Sequence, residues 1–174
     1  KCSAQLSVVK DDESKKRLLM QRGVAYAVLR DFQAAMGDFT DYLHMDGQAS
    51  MPYWMRAVCQ VEMDAFFKSQ GGSSTSLASP EADFSEAIKL NPNNAYLYYN
   101  RGNMHVARNE YSKAIDDYTI ALNLDPNLAE AYYNRGIVRI TTKNTDKAIS
   151  DLSKAGELGL YDAYSIIKRV SQQK

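Results

Sequence analysis

Two histidines and one pair of adjacent carboxylates are the side chains in this sequence best suited to general acid–base chemistry. His44 falls near the end of a predicted helix, and His105 falls on a packing face, where a hydrogen-bonded core histidine is the expected role. Asp116 is expected on a helix surface, and Asp117 beside an arginine. The sequence contains no HExxH, GxSxG or Walker motif. It therefore predicts a protein that is not an enzyme, with no catalytic residue, metal site or cofactor.

A glycine- and serine-rich stretch at residues 69–79 raises the question of a phosphate-binding loop. Eight of its eleven residues are Gly, Ser or Thr. The segment GGSSTS at 71–76 lacks the lysine and the preceding strand that a phosphate loop requires. The composition is instead typical of a flexible linker, and we expect an inserted loop.

Four arginines could bind an anionic ligand, but each is followed by an aspartate at a matching separation. In three cases the aspartate stands sixteen positions after the arginine. In the fourth it stands twenty-seven positions after, and the excess of eleven equals the length of the 69–79 stretch. This pattern favours ion pairs between two helices, with ligand-binding arginines as the alternative. The predicted pairs are Arg22–Asp38, Arg56–Asp83, Arg101–Asp117 and Arg135–Asp151.

An internal repeat must position these pairs. The pentapeptide YYNRG occurs at 98–102 and again at 132–136, a shift of thirty-four positions. Arg22 and Arg56 are separated by the same shift, whereas Arg56 and Arg101 are separated by that shift plus the length of the inserted stretch. The sequence therefore predicts four units of one repeat.

Each unit reads as two amphipathic helices. In the third unit the predicted helices cover about residues 95–107 and 111–122, because small and apolar residues recur there at helical spacing. Proline-containing turns at 91–93 and 125–127 end the second helices. Ser79 is followed by proline and glutamate, so we expect it to cap a new helix through its side chain.

These features resemble the tetratricopeptide repeat, a helix–turn–helix unit of about 34 residues. The resemblance spans residues 15–160 and rests on a small residue, an alanine, a large packing residue and a proline at fixed positions. These are Gly23, Ala57, Gly102 and Gly136; Ala35, Ala114 and Ala148; Phe39, Phe84, Tyr118 and Leu152; and Pro92 and Pro126. The resemblance implies an all-α fold, a right-handed α-solenoid of antiparallel helix pairs.

Four positions depart from the family pattern. Gly47 and Leu160 stand where the family has proline, and Pro80 stands where it has alanine. We therefore expect a shortened second helix in the second unit. Tyr42 replaces a small residue, which predicts altered packing in the first unit.

The expected organisation follows from the period. An N-terminal arm or the remnant of an upstream helix occupies 1–14, and a C-terminal capping helix occupies 161–174. The four units lie at 15–48, 49–92, 93–126 and 127–160, with the inserted loop 69–79 in the second. A stacked array needs a polar cap, and we expect the C-terminal helix to turn Tyr161, Tyr164 and Ile167 inward, with Ile166 as a further candidate.

The resemblance also implies that the first helices line a concave groove for peptides or partner proteins. Tyr and Trp supply contact area with a polar handle, Met adapts to irregular partners, and Asn offers both a donor and an acceptor. The groove positions are Gln21, Trp54, Met55, Tyr99, Asn100, Asn103, Tyr133 and Asn134. The alternative is that Tyr99 and Tyr133 pack between units and that the asparagines are hydrated.

A basic carboxylate clamp, which one subgroup of the family uses for acidic chaperone tails, is not expected. Its lysine positions correspond here to Met20, Trp54, Tyr99 and Tyr133.

Composition limits the possible partners. Lys plus Arg and Asp plus Glu number 21 each, so the formal charge is zero, which argues against a nucleic-acid or anionic-membrane surface. No apolar run approaches the roughly 18 residues of a membrane span. Cys2 and Cys59 have neither zinc-site spacing nor a disulfide framework, and they leave the compartment open with a lean toward the cytoplasm. Because the chain does not begin with Met, we expect a fragment or processed form that could have lost an export signal.

The sequence therefore predicts a non-catalytic module that binds a protein or an extended peptide of unknown identity, as a monomer or a weak homo-oligomer. The alternative is a structural module for self-association, or for docking onto other domains of a larger chain.

Overall fold

The computed structural model describes residues 11–72 and 79–172. Within these ranges the chain forms nine α-helices and no strand. Residues 1–10 of the predicted N-terminal arm, including Cys2, lie outside the described residues, as do 73–78 of the inserted loop and 173–174. The helices are α1 (Asp12–Val28), α2 (Phe32–Met45), α3 (Ser50–Ser69), α4 (Pro80–Leu90), α5 (Ala95–Ala107), α6 (Tyr111–Leu124), α7 (Ala129–Thr141), α8 (Thr145–Glu157) and α9 (Asp162–Ser171).

The described residues fall into two compact units, the first ending at Pro92 and the second beginning at Asn93. In the first unit α1 packs against α2, α2 against α3, and α3 against α4. In the second unit each helix from α5 to α9 packs against the next one along the chain. Short turns join the two helices of each pair, so the second unit is a stack of helix hairpins closed by α9.

Three turns inside the repeats contain a residue in the left-handed conformation. These residues, each with φ of 60° or 61°, are Arg30, Asn109 and Lys143. In the third repeat the following N–H, of Glu110, donates to the His105 carbonyl oxygen at 2.9 Å. Such a bond satisfies a carbonyl of the last helical turn and ends the helix. The second repeat has no helix break at the corresponding position, so its first helix, α3, is longer, with 20 residues against 13 in α5.

Close approach of the two helices explains the recurring glycine. A Cβ atom built on Gly102 would lie 2.7 Å from the Tyr118 ring, and one on Gly136 would lie 2.9 Å from Leu152 Cγ. Tyr118 and Leu152 are both buried, so either side chain would have to leave its packed position to make room. A glycine on the first helix therefore makes room for the large side chain on the second.

The start of α4 corrects one prediction. Ser79 precedes the helix, but its side chain makes no capping hydrogen bond. The Ala82 N–H donates instead to the Ser79 carbonyl oxygen at 3.0 Å, which leaves the hydroxyl without that role. The helix has 11 residues against 14 in both α2 and α6, which agrees with the shortening expected from Pro80.

The face that α9 buries agrees with the prediction at the two isoleucines and differs from it at the two tyrosines. Tyr161 and Tyr164 are 73% and 47% exposed, whereas Ala163 and Ile166 are buried. Ile167 packs against the same cluster from a partly buried position. The apolar stripe begins at Ala163 and recurs three, four and seven positions later, so the inward assignment of the two tyrosines is wrong.

Candidate functional site

The four arginines at the repeated position are held by carboxylates of their own repeats. Each Nε donates to one oxygen of its aspartate at 2.7–2.9 Å, and Nη2 donates to the other oxygen. The aspartates are between 3% and 8% exposed. The pairs are Arg22–Asp38, Arg56–Asp83, Arg101–Asp117 and Arg135–Asp151. Both carboxylate oxygens are engaged, so these arginines join the two helices of each repeat.

A second arginine, which the spacing argument missed, joins the last of these pairs. Arg139 Nη1 donates to Asp151 Oδ2 at 2.6 Å, so one carboxylate accepts from two guanidinium groups. Burial lowers the pKa of Arg139, and the positive charge of Arg135 acts in the same direction. The signal in the sequence is an arginine four positions after Arg135, on the same helix face.

His105 is enclosed rather than presented to a substrate. It is 3% exposed, its Nδ1 lies 2.6 Å from Glu110 Oε2, and its Nε2 lies 3.6 Å from Asp117 Oδ2. The hydrogen bond with His105 lowers the pKa of Glu110. The imidazole thus lies between two carboxylates and is hydrogen-bonded to one of them, whereas His44 lies outside the core in the last turn of α2.

A chain of hydrogen bonds links α5, α6 and α7 and brings together three predicted groove residues. The Tyr118 hydroxyl donates to Asn103 Oδ1 at 2.6 Å, and Asn134 Nδ2 donates to the same oxygen at 2.9 Å. Asn134 Nδ2 also donates to the Tyr99 hydroxyl at 3.2 Å. Burial raises the pKa of Tyr118, so its hydroxyl stays protonated and remains a donor. We call these four residues the tyrosine–asparagine chain.

Two amide atoms of the tyrosine–asparagine chain are available to bind another molecule. Among the described residues, Asn134 Oδ1 has no hydrogen-bond donor and Asn103 Nδ2 has no acceptor. Both side chains are partly exposed. The tyrosine–asparagine chain therefore fixes one acceptor and one donor at the surface. The other polar atom of each asparagine amide is held by a tyrosine hydroxyl.

Three surface depressions lie in a row along α5, α7 and α9. The first has a volume of about 290 Å³ and is lined by Tyr99, Glu130, Tyr133, Asn134, Leu160 and Asp162. The second is lined by Asn103, Val106, Ala107, Tyr118, Asn134, Ile137 and Val138. The third is lined by Ile137, Ile140, Thr141, Ile166, Arg169 and Val170. Because Asn134 and then Ile137 are shared by adjacent depressions, we treat the row as one surface, the first-helix face.

Asn100 does not join this face. Its Nδ2 donates to the Tyr96 carbonyl oxygen at 2.7 Å, one helical turn back, and it lines none of the three depressions. Tyr133 lines the first depression and also packs against the cluster around Leu152, so it contributes both to the surface and to packing.

In the first unit, two of the three predicted groove residues are engaged in packing. Met55 packs against the cluster that contains Phe39 and Cys59. The Trp54 Nε1–H is buried without a hydrogen-bond partner among the described residues, so it offers no polar handle at the surface. Gln21 is exposed. Burial also raises the pKa of Cys59 to about 11, which is typical of an inert core thiol.

None of the described helices is long and apolar enough to cross a bilayer.

Comparisons with known proteins identify the repeat. A family model described as TPR repeat matches residues 102–140, and two described as tetratricopeptide repeat match 84–116 and 129–158. No curated protein sequence matches at a significant level.

Solved structures of other proteins share the fold. A crystal structure of MamA matches with a TM-score of 0.76 at 21% identity, over 94% of this chain and 89% of MamA. YrrB, described as a TPR protein with an unusual peptide-binding site, matches with a TM-score of 0.71 at 20% identity, over 90% of this chain and 76% of YrrB. The first TPR of Spaghetti (RPAP3), bound to the HSP90 peptide SRMEEVD, matches with a TM-score of 0.65 at 23% identity, over 76% of this chain and 96% of that one. Identities this low establish the fold and leave the ligand open.

The predicted all-α fold is confirmed, with the helix–turn–helix repeats of the solenoids that it matches. Family models match across residues 84–158, so this part of the chain consists of tetratricopeptide repeats, and the structural relatives share its fold.

Proposed function

We propose that the chain is a non-catalytic scaffold that binds an extended peptide or a protein segment on the first-helix face. The family supports an interaction module, and two structural relatives are described as peptide-binding or peptide-bound. The observation that carries the proposal is the pair of unused amide atoms, Asn134 Oδ1 and Asn103 Nδ2, whose residues both line the second depression.

Recognition of an extended peptide would use these amides for the backbone. Every residue of a peptide other than proline presents one N–H and one C=O, and Asn134 Oδ1 can accept from the first while Asn103 Nδ2 donates to the second. In an extended peptide alternate side chains point to opposite sides, so every second one can enter a depression. The hydroxyls of Tyr99 and Tyr118 hold the amides in place, which reduces the entropy lost on binding.

The role of the titratable groups also supports a scaffold. His105 is enclosed between two carboxylates, and the buried aspartates Asp117 and Asp151 are each held by an arginine. A general base must reach the proton that it abstracts, and none of these three side chains is placed to do so.

Peptide selection tests the proposal. A random peptide library is panned on the immobilised chain, and selected peptides are measured by fluorescence polarisation. Asn134→Ala should weaken binding about tenfold, as expected from loss of a hydrogen bond whose partner stays buried. The matched control is Asn100→Ala, which removes an equal side chain outside the depressions and should change affinity by less than about twofold. Equal effects of the two substitutions, or recovery of no binding peptide, would overturn the proposal.

A second candidate, self-association or docking onto another domain, is favoured by the exposed rings of Tyr161 and Tyr164 on α9. Light scattering during size-exclusion chromatography separates the two. A mass that rises with concentration, and that Tyr161→Ser lowers, would favour this candidate. A constant monomer mass would count against it.

A further inference from the structure

The first depression of the first-helix face has a lining unlike the other two. It contains two carboxylates, Glu130 and Asp162, two tyrosines, Tyr99 and Tyr133, and Asn134, whose Oδ1 accepts no hydrogen bond from the described residues. No basic side chain lines it. We infer that this depression binds a cationic side chain, arginine or lysine, of the partner peptide. The inference rests on the proposed function and names the chemistry of its ligand.

No basic side chain among the described residues neutralises the two carboxylates of the depression. Glu130 and Asp162 form no ion pair with any of the described residues. They lie in the first turns of α7 and α9, where each helix end contributes about half a positive charge. Two full negative charges, offset by about half a positive charge at each of two helix ends, leave the depression with about one net negative charge. This charge attracts a cation and repels an acidic side chain.

The aromatic side chains add a second reason for a cation. Tyr99 and Tyr133 are only partly buried, so part of each ring remains accessible in the depression. A cation near a tyrosine face is attracted by the negative face of the ring, and arginine is the commonest such partner in proteins. Asn134 Oδ1 supplies a third acceptor, and an arginine side chain has five N–H donors to distribute.

The chain already contains this combination in each of its four repeats. Each guanidinium that pairs with an aspartate also lies over a tyrosine ring of the same repeat, with its carbon atom 5.7–5.9 Å from the ring centroid. The tyrosines are Tyr26, Tyr53, Tyr98 and Tyr132. The first depression offers the same two kinds of group without an arginine or lysine in its own lining, and a partner can provide one.

Nuclear magnetic resonance of the full ¹⁵N-labelled chain tests the inference without a known partner. The probes are N-acetyl-arginine amide and N-acetyl-citrulline amide, which have nearly the same shape and differ in charge. The arginine probe should give saturable shifts of the backbone signals of Glu130, Tyr133 and Asp162. The citrulline probe should bind about tenfold more weakly, because it lacks the charge that the carboxylates and rings attract.

Two charge variants complete the test. Glu130→Gln with Asp162→Asn should abolish the preference for the arginine probe. Asp116→Asn with Glu157→Gln, which removes two charges outside the depression, should retain it. Melting curves of both variants establish that they are folded.

Equal binding of the two probes, or shifts confined to other residues, would overturn the inference. The peptide selection separates this failure from failure of the proposed function. Peptides that bind the first-helix face without a basic residue would leave the proposed function standing and remove the cation site alone.

Discussion

Replacing glycine by alanine should stabilise, leave unchanged or destabilise this protein according to where the new methyl group falls. Gly37, in the interior of α2, has no atom within 4 Å of an added Cβ. An added Cβ on Gly156 would meet the Tyr164 ring, which is 47% exposed and able to swing into solvent. On Gly102 it would lie 2.7 Å from the ring of Tyr118, which is 1% exposed.

The magnitudes follow from two opposing terms. Alanine in place of glycine inside a helix contributes about 1 kcal/mol, and Gly37→Ala should raise the free energy of unfolding by about that amount. Overpacking a rigid core costs about 1–3 kcal/mol. Tyr118 is held by its hydrogen bond to Asn103, so Gly102→Ala should fall at the upper end of that range, with a net loss of about 1–2 kcal/mol. Gly156→Ala should stay within about 0.5 kcal/mol of the parent.

Urea unfolding followed by circular dichroism measures all three variants on one scale. The slope of the transition should stay unchanged, since none of the substitutions alters the surface exposed on unfolding. A Gly102→Ala protein as stable as Gly37→Ala would refute the close-packing explanation of the repeated glycine. A loss for Gly156→Ala as large as that for Gly102→Ala would show that ring exposure does not decide the outcome.

Three further predictions concern charged groups and the thiol. Asp151→Asn should cost about 3 kcal/mol, because it leaves two largely buried guanidinium groups without their carboxylate, and adding Arg139→Leu should recover part of the loss in urea unfolding. Cys59 in a Cys2→Ser protein should resist a thiol reagent at pH 8 until the chain unfolds, since a pKa of about 11 leaves about one thiolate in a thousand. The pKa of Glu110 is lowered by its bond to a buried histidine, so its contribution to stability is present above its usual value of 4.5 and is lost as the pH falls through the lowered pKa. The stability difference between the parent and Glu110→Gln should shrink over that acid range in parallel melting curves.

Each of these has a result that would contradict it. Asp151→Asn should be compared with Asp38→Asn, whose carboxylate pairs with Arg22, and a larger loss for Asp38→Asn would count against the two-arginine argument. Rapid labelling of Cys59 in the native protein would show that the thiol is reachable. A stability difference for Glu110→Gln that does not vary with pH would remove the role of its charge.

The repeat itself was predictable because its determinants are local. Helix periodicity, the turn prolines and the recurrence of YYNRG each depend on residues within one hairpin, and the observed α5 and α6 begin at the predicted residues 95 and 111. The spacing between Arg101 and Asp117 is likewise a property of one hairpin, since it spans part of one helix, a turn and the start of the next.

Features that involve several hairpins depended on tertiary structure. The first depression combines Tyr99 with Glu130 of the next hairpin and Asp162 of the closing helix α9. The sequence assigned Tyr118 to packing alone, and only the folded chain places its hydroxyl on Asn103. Periodicity specifies which face of a helix is buried, but how neighbouring hairpins are rotated against each other sets which polar atoms meet. Local sequence thus specifies the scaffold, whereas packing between hairpins selects the polar side chains that stay free for a partner.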